Sequence, residues 1–196
     1  GDKAGFGTVW SENTAGAQLS DLVVTTGVQK LPGGGKLGVR QGSGSFEDWP
    51  LPNDSRPLAV AAKTGYVSAG TVTVATWLED SGLWFKTGKT GTAAKASSTP
   101  TTTASEMTTA LNSAGPTDVH LVWASGAAGT DAIFVSAPTG VWRYKWPGTN
   151  FAGGSWAKVT LPGDLGSTSY KDLAGKGVGS GFTLWTVADG KAFKAT

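Results

Sequence analysis

The chain has no cysteine, one histidine and one methionine in 196 residues, and these shortages narrow its chemistry before any motif is sought. Without thiols there is no disulfide, no thiolate zinc site, no iron–sulfur cluster and no cysteine nucleophile. With one imidazole, a Ser-His-Asp triad would have to use His120 and a serine on a strained elbow. The glycines around Gly42-Ser43-Gly44 miss the elbow spacing, and His120 sits in a strand pattern, so a structural role is expected for it. A histidine zinc site would need further ligands that the sequence does not offer.

Charge is also scarce, at 15% of residues, which excludes a long solvated helix or a highly charged tail. Sixteen basic and 14 acidic side chains leave a net charge of +2 with no basic stripe; the longest basic alternation is Arg143-x-Lys145. No nucleic-acid partner is expected from such a distribution. No apolar run approaches the length of a transmembrane helix, so no membrane insertion is expected either. No signal-peptide pattern precedes Gly1, and a start on Gly rather than Met suits an upstream segment having been removed.

Carboxylates are few. Of the four glutamates, Glu79 lies at a turn and Glu106 in a predicted first helical turn, where its charge suits the helix dipole. Glu12 and Glu47, near Trp10, Phe46 and Trp49, are the one pair that could serve glycoside hydrolysis. Two glycine patterns fail as nucleotide loops. Gly82 to Gly88-Lys89-Thr90 has one residue too many for a phosphate loop, and no helix follows the G-x-G-x-x-G spacing at Gly33–Gly38. Calcium-loop patterns are missing, so neither a metal nor a cofactor is expected.

What the chain does have is glycine, 30 residues, and tryptophan, nine. A hairpin pattern recurs three times: Val72–Trp77 with Leu83–Lys86, Ala132–Val135 with Val141–Trp146, and Phe182–Val187 with Lys191–Lys194. Each pair of β-branched and aromatic runs is joined through a glycine, at Gly82, Gly140 or Gly190, as antiparallel hairpins require. Further short strands are expected at 6–10, 22–26, 36–40, 58–62, 119–123 and 158–161. The fold class is mainly β: an antiparallel, hairpin-rich sandwich, barrel or small propeller-like body. The glycine spacings, 58 and 50 residues, are uneven for propeller blades.

One short helix is expected at 103–113, where Thr103 and Glu106 stand at capping-box spacing and Gly115-Pro116 ends the segment. Three prolines in Trp49–Pro57 preclude a central strand and suggest a boundary between an irregular β-containing lobe, 1–57, and a main body, 58–196. Residues 89–103 have linker composition. In the first hairpin, alternation should bury Leu83 and Phe85, leave Lys86 in water and half-cover Trp84.

The candidate ligand-binding residues are Trp142, Tyr144 and Trp146, which alternate along one strand and share a face opposite Arg143 and Lys145. An aromatic row of this kind either stacks against sugar rings or a partner, or forms a core face. The segment from Thr101 to Trp146, a Thr/Ser-rich lead, a helix, a strand and a glycine-turn hairpin, resembles segments of bacteriophage tail and capsid-associated proteins. The cysteine-free, Ala/Gly/Thr/Ser-rich composition is similar to that of virion proteins generally. The resemblance covers about a quarter of the chain and carries no functional residue across. It implies a non-enzymatic structural or attachment component on a virion or extracellular surface, with other protein subunits as partners in a homo-oligomer or particle. A carbohydrate-binding module or lectin using the aromatic row, with glycans as partners, is the alternative, and a glycosidase the third.

Overall fold

Four consecutive stretches of the chain each fold into their own antiparallel meander. The computed structural model describes residues 9–11, 22–26, 36–41, 45–52, 57–62, 72–78, 81–97, 119–125, 131–137, 140–161, 170–178, 181–188 and 191–195. The first sheet contains β1 (Val9–Ser11), β2 (Leu22–Thr26), β3 (Lys36–Gln41) and β4 (Glu47–Pro50), in that spatial order. The second contains β5 (Pro57–Ala62), β6 (Thr73–Leu78), β7 (Gly82–Thr87) and the two-residue β8 (Ala94–Lys95). The third contains β9 (His120–Ala124), β10 (Ala132–Ala137), β11 (Gly140–Lys145) and β12 (Ser155–Lys158). The fourth contains β13 (Tyr170–Val178), β14 (Gly181–Ala188) and β15 (Lys191–Ala195). The protein is mainly β and antiparallel, no barrel closes among the described residues, and the sheets pair in sandwich-like fashion.

The three hairpins expected from sequence are β6–β7, β10–β11 and β14–β15. Gly82 has φ +83°, a conformation that a side chain would strain, so glycine is needed at that turn. Pro50 ends β4 and Pro57 starts β5, both edge strands, where a missing amide donor costs no ladder bond.

The second and fourth sheets repeat one another in detail. In β5 the register against β6 shifts between Pro57 and Ala59, and in β13 the register against β14 shifts between Tyr170 and Asp172. Each irregularity stands at the same place relative to its hairpin. Two positions on, Thr76 Oγ1 donates to the Ala59 carbonyl (3.1 Å) and Thr186 Oγ1 to the Asp172 carbonyl (2.8 Å). The hairpin pattern of the sequence is thus the visible part of a repeated strand–bulge–hairpin unit.

Within each unit, the two sheets complete the burial of their apolar residues against one another. Leu37, Val39, Trp49 and Leu51 of the first share a core with Val60, Val74 and Leu78 of the second. Ala124, Ala132, Phe134 and Val141 of the third share another with Leu173 and Leu184 of the fourth. A fully buried Leu, Val or Phe side chain stabilises a fold by about 1.5–3 kcal/mol, so each shared core is substantial. Gly175 lets the third and fourth sheets approach: a Cβ there would stand 3.0 Å from Leu184 and 3.3 Å from Val122.

The chain divides into two compact units, Gly1–Lys95 and Ala96–Thr196. The division falls inside the linker-like segment 89–103, and the proline-rich stretch lies within the first unit. Sheets before and after the prolines share one core, which holds them together. β8 lies inside that segment too, so part of it is strand. The helix expected at 103–113 lies outside the described residues. Leu83 and Phe85 are buried and Trp84 is half-buried, as alternation indicated. Lys86 departs from expectation: only 4% of it is exposed. Its ammonium donates to the Gly91 carbonyl in the following turn, which gives a buried cation a partner.

Candidate functional site

The aromatic row occupies the face of the third sheet that strand alternation assigns to it. Trp142 pairs across from Val135, and Tyr144 across from Ile133 on one side and Trp156 on the other. Tyr144 and Trp146 stack with centroids 6.0 Å apart, and Trp123 meets Trp146 edge-on at 5.4 Å. Exposure is 1% for Trp142, 0% for Tyr144 and 8% for Trp146. A stacking platform needs an open face, and this row has none, so these rings serve as core.

The Tyr144 hydroxyl shows how that core is closed. It donates to the Phe151 carbonyl (2.5 Å) and accepts from the amides of Ser97 and Gly154, both at 3.0 Å. Phe151 begins a short 3-10 turn, Phe151–Gly153, which Gly154 follows and which the Asn150 side chain caps by accepting from the Gly153 amide. Gly154 must be glycine, because a Cβ would come within 2.5 Å of the Tyr144 hydroxyl oxygen. Trp156 Nε1 donates to the Ser97 carbonyl at 3.1 Å, so residues 96–97 are tied down by the same cluster.

Arg143 and Lys145 point from the opposite face of β11, as alternation requires, and there they border an open cleft of about 380 Å³. Phe134, directly across from Arg143 in the strand register, lines the cleft together with Phe182 and Leu184 of β14. The two phenyl rings meet edge-to-face at 5.3 Å. Lys145 Nζ lies 5.9 Å from the Phe182 centroid, a cation–π approach. Lys158 also borders the cleft, but it shares a face with Trp142, 5.7 Å from that ring. Among the described residues, no acidic side chain lines the cavity and Arg143 makes no ion pair. The result is a concave, ring-floored site with a cationic wall, at the small end of the usual ligand-pocket range.

Of the remaining sequence candidates, His120 and Glu47 lie among the described residues. His120 is half-buried in β9, across from Ser136. Glu47 is exposed on edge strand β4 and forms an ion pair with Lys89 at 3.7 Å. Glu12, Glu79 and Glu106 lie outside the described residues. Among the described residues, no group of three or more His, Asp or Glu is placed to hold a metal ion. No helix there is long and apolar enough to cross a membrane.

A second surface feature is the outer face of the fourth sheet. Trp185 and Val187 are 38% and 40% exposed, side by side on the central strand β14. Ala174 and Ala192, on the flanking strands, extend the apolar strip; Asp172 lies beside Val187, while Lys176 and Lys194 lie towards Trp185. Sequence reasoning missed both features. The Arg143-x-Lys145 alternation opposite Phe134 was the available signal for the cleft, but only the packing of β14 turns that face into a cavity.

No family model, curated protein or solved structure matches this chain. Its antiparallel meanders, open apolar face and cationic cleft therefore carry the functional reading by themselves.

Proposed function

We propose that this chain is a non-enzymatic structural or attachment component of a phage-like particle, acting through multimeric contacts with copies of itself. The observation that supports the reading is the exposed Trp185–Val187 strip on the central strand of the fourth sheet. A large exposed apolar patch costs free energy in water and usually marks a contact surface. The strip carries an acid at one end and two lysines at the other, so a second copy related by two-fold symmetry brings opposite charges together. Light scattering on the full chain tests this: Trp185→Asp lowers the wild-type multimer to monomer, and the wild type sediments with particles from its source. A wild-type monomer, or a Trp185→Asp variant assembling like wild type, overturns the reading.

Carbohydrate binding is the second reading, and the cleft favours it. The partly exposed Phe182 ring suits the apolar face of a sugar, and the cavity is open to solvent, whereas the buried row at Trp142, Tyr144 and Trp146 is not.

A further inference from the structure

We infer that the cleft between the third and fourth sheets selects a negatively charged sugar, a ring bearing a carboxylate or sulfate group. The inference rests on the carbohydrate-binding reading and names its ligand class. Arg143 and Lys145 stand two residues apart on one strand face and both are half-buried. Among the described residues neither has a carboxylate partner, and no carboxylate lines the cavity. An arginine partly buried at a cleft without a counter-charge leaves its guanidinium able to take an oxyanion through charge-assisted, bidentate hydrogen bonds. Lys145, held over the Phe182 ring, adds a second positive charge beside the first.

The rest of the cavity specifies what carries the anion. Phe182, the partly exposed ring, supplies an apolar surface for one face of a sugar, backed by the buried Phe134 and Leu184, and Thr160 offers a hydrogen-bonding group at the wall. A bare inorganic anion would leave that surface wet. A purely apolar ligand would leave Arg143 unpaired in a drier site. A pyranose with one charged substituent satisfies both surfaces, and about 380 Å³ holds one or two such rings.

Isothermal titration calorimetry on the full chain tests this with four probes: a glucuronate-containing disaccharide, a sulfated disaccharide, a neutral glucose disaccharide and inorganic sulfate. At least one charged disaccharide binds at least tenfold more tightly than the neutral disaccharide and than inorganic sulfate. That binding weakens with added salt, as screening of a partly exposed pair requires. Arg143→Gln lowers the affinity for the charged disaccharide at least tenfold and weakens its salt dependence, while the near-ultraviolet dichroism stays unchanged. Phe182→Leu keeps an apolar core residue but weakens the charged disaccharide more than inorganic sulfate. If neutral and charged disaccharides bind equally, glycan binding stands and the charge selection is overturned. If inorganic sulfate binds as tightly as the charged sugars, the sugar ring is irrelevant and the inference fails. If no saccharide binds, both it and the carbohydrate reading fail.

Discussion

Lys86 is the residue whose environment departs furthest from what its type suggests. Its ammonium is buried beneath the β7–β8 turn, and burial pushes its pKa below the ordinary value of 10.5. The sign of the consequence follows from proton counting. Below the depressed folded pKa both states hold the proton, and the desolvation cost is fully present. Between that value and 10.5 the unfolded chain binds more protons than the folded one, so this lysine's contribution to stability rises with pH. Lys86→Met removes the titration, and urea unfolding should show wild type gaining on the variant as pH rises from the depressed folded pKa towards 10.5. Parallel pH profiles for the two proteins would sink the argument. Strand alternation made Leu83 and Phe85 legible as core, but not the fate of Lys86. Its partner, the Gly91 carbonyl, is five residues away in a turn whose path no periodicity encodes. The aromatic row taught a similar lesson: alternation grouped Trp142 with Tyr144 correctly, and only the fold determined that this face is closed.

At the level of elements, the chain solves one problem twice with the same device. An extra residue in β5 and in β13 bends the first strand of each meander, and a threonine on the next strand reaches the carbonyl beside the irregularity. Thr76→Val and Thr186→Val keep the β-branched shape but remove that bond. Each should cost about 1 kcal/mol, the usual net worth of a neutral hydrogen bond. Because the two threonines belong to different sheets in different units, the costs should add in the double variant. Denaturant midpoints of the singles and the double check this; a single variant as stable as wild type would show that the bond does not hold the bulge. The hairpins themselves were readable from alternating β-branched and aromatic runs around Gly82 and Gly140. The bulges were not, because an unpaired residue leaves no compositional mark and appears only in the pairing with a neighbouring strand. The short β8 escaped for a related reason: two residues carry no period, and Ala94 and Lys95 pair only because β7 offers its edge.

For the whole molecule, the decisive question is which sheets stand or fall together. The proline-rich stretch between Trp49 and Pro57 invites a boundary by composition, since three residues there lack an amide donor. Proline, however, reports on the backbone and says nothing of what the side chains beside it touch. Trp49, immediately before Pro50, is almost fully buried, and its cluster includes Val60, Val74 and Leu78 from beyond the prolines. The first unit accordingly runs through Lys95, and its two sheets have a single core. Trp49→Ala should therefore cost about 3–5 kcal/mol, the range for losing a large aromatic from a core. The loss should reach across the prolines: hydrogen exchange should accelerate at the amides of Val74 and Leu78 in β6 as much as at Leu37 and Val39 in β3. Strands β9 to β12, built on the separate core around Phe134 and Val141, should respond least. If faster exchange stopped at Pro50 and β6 kept its protection, residues 1–57 would be a lobe in their own right, and the boundary suggested by composition would be the true one.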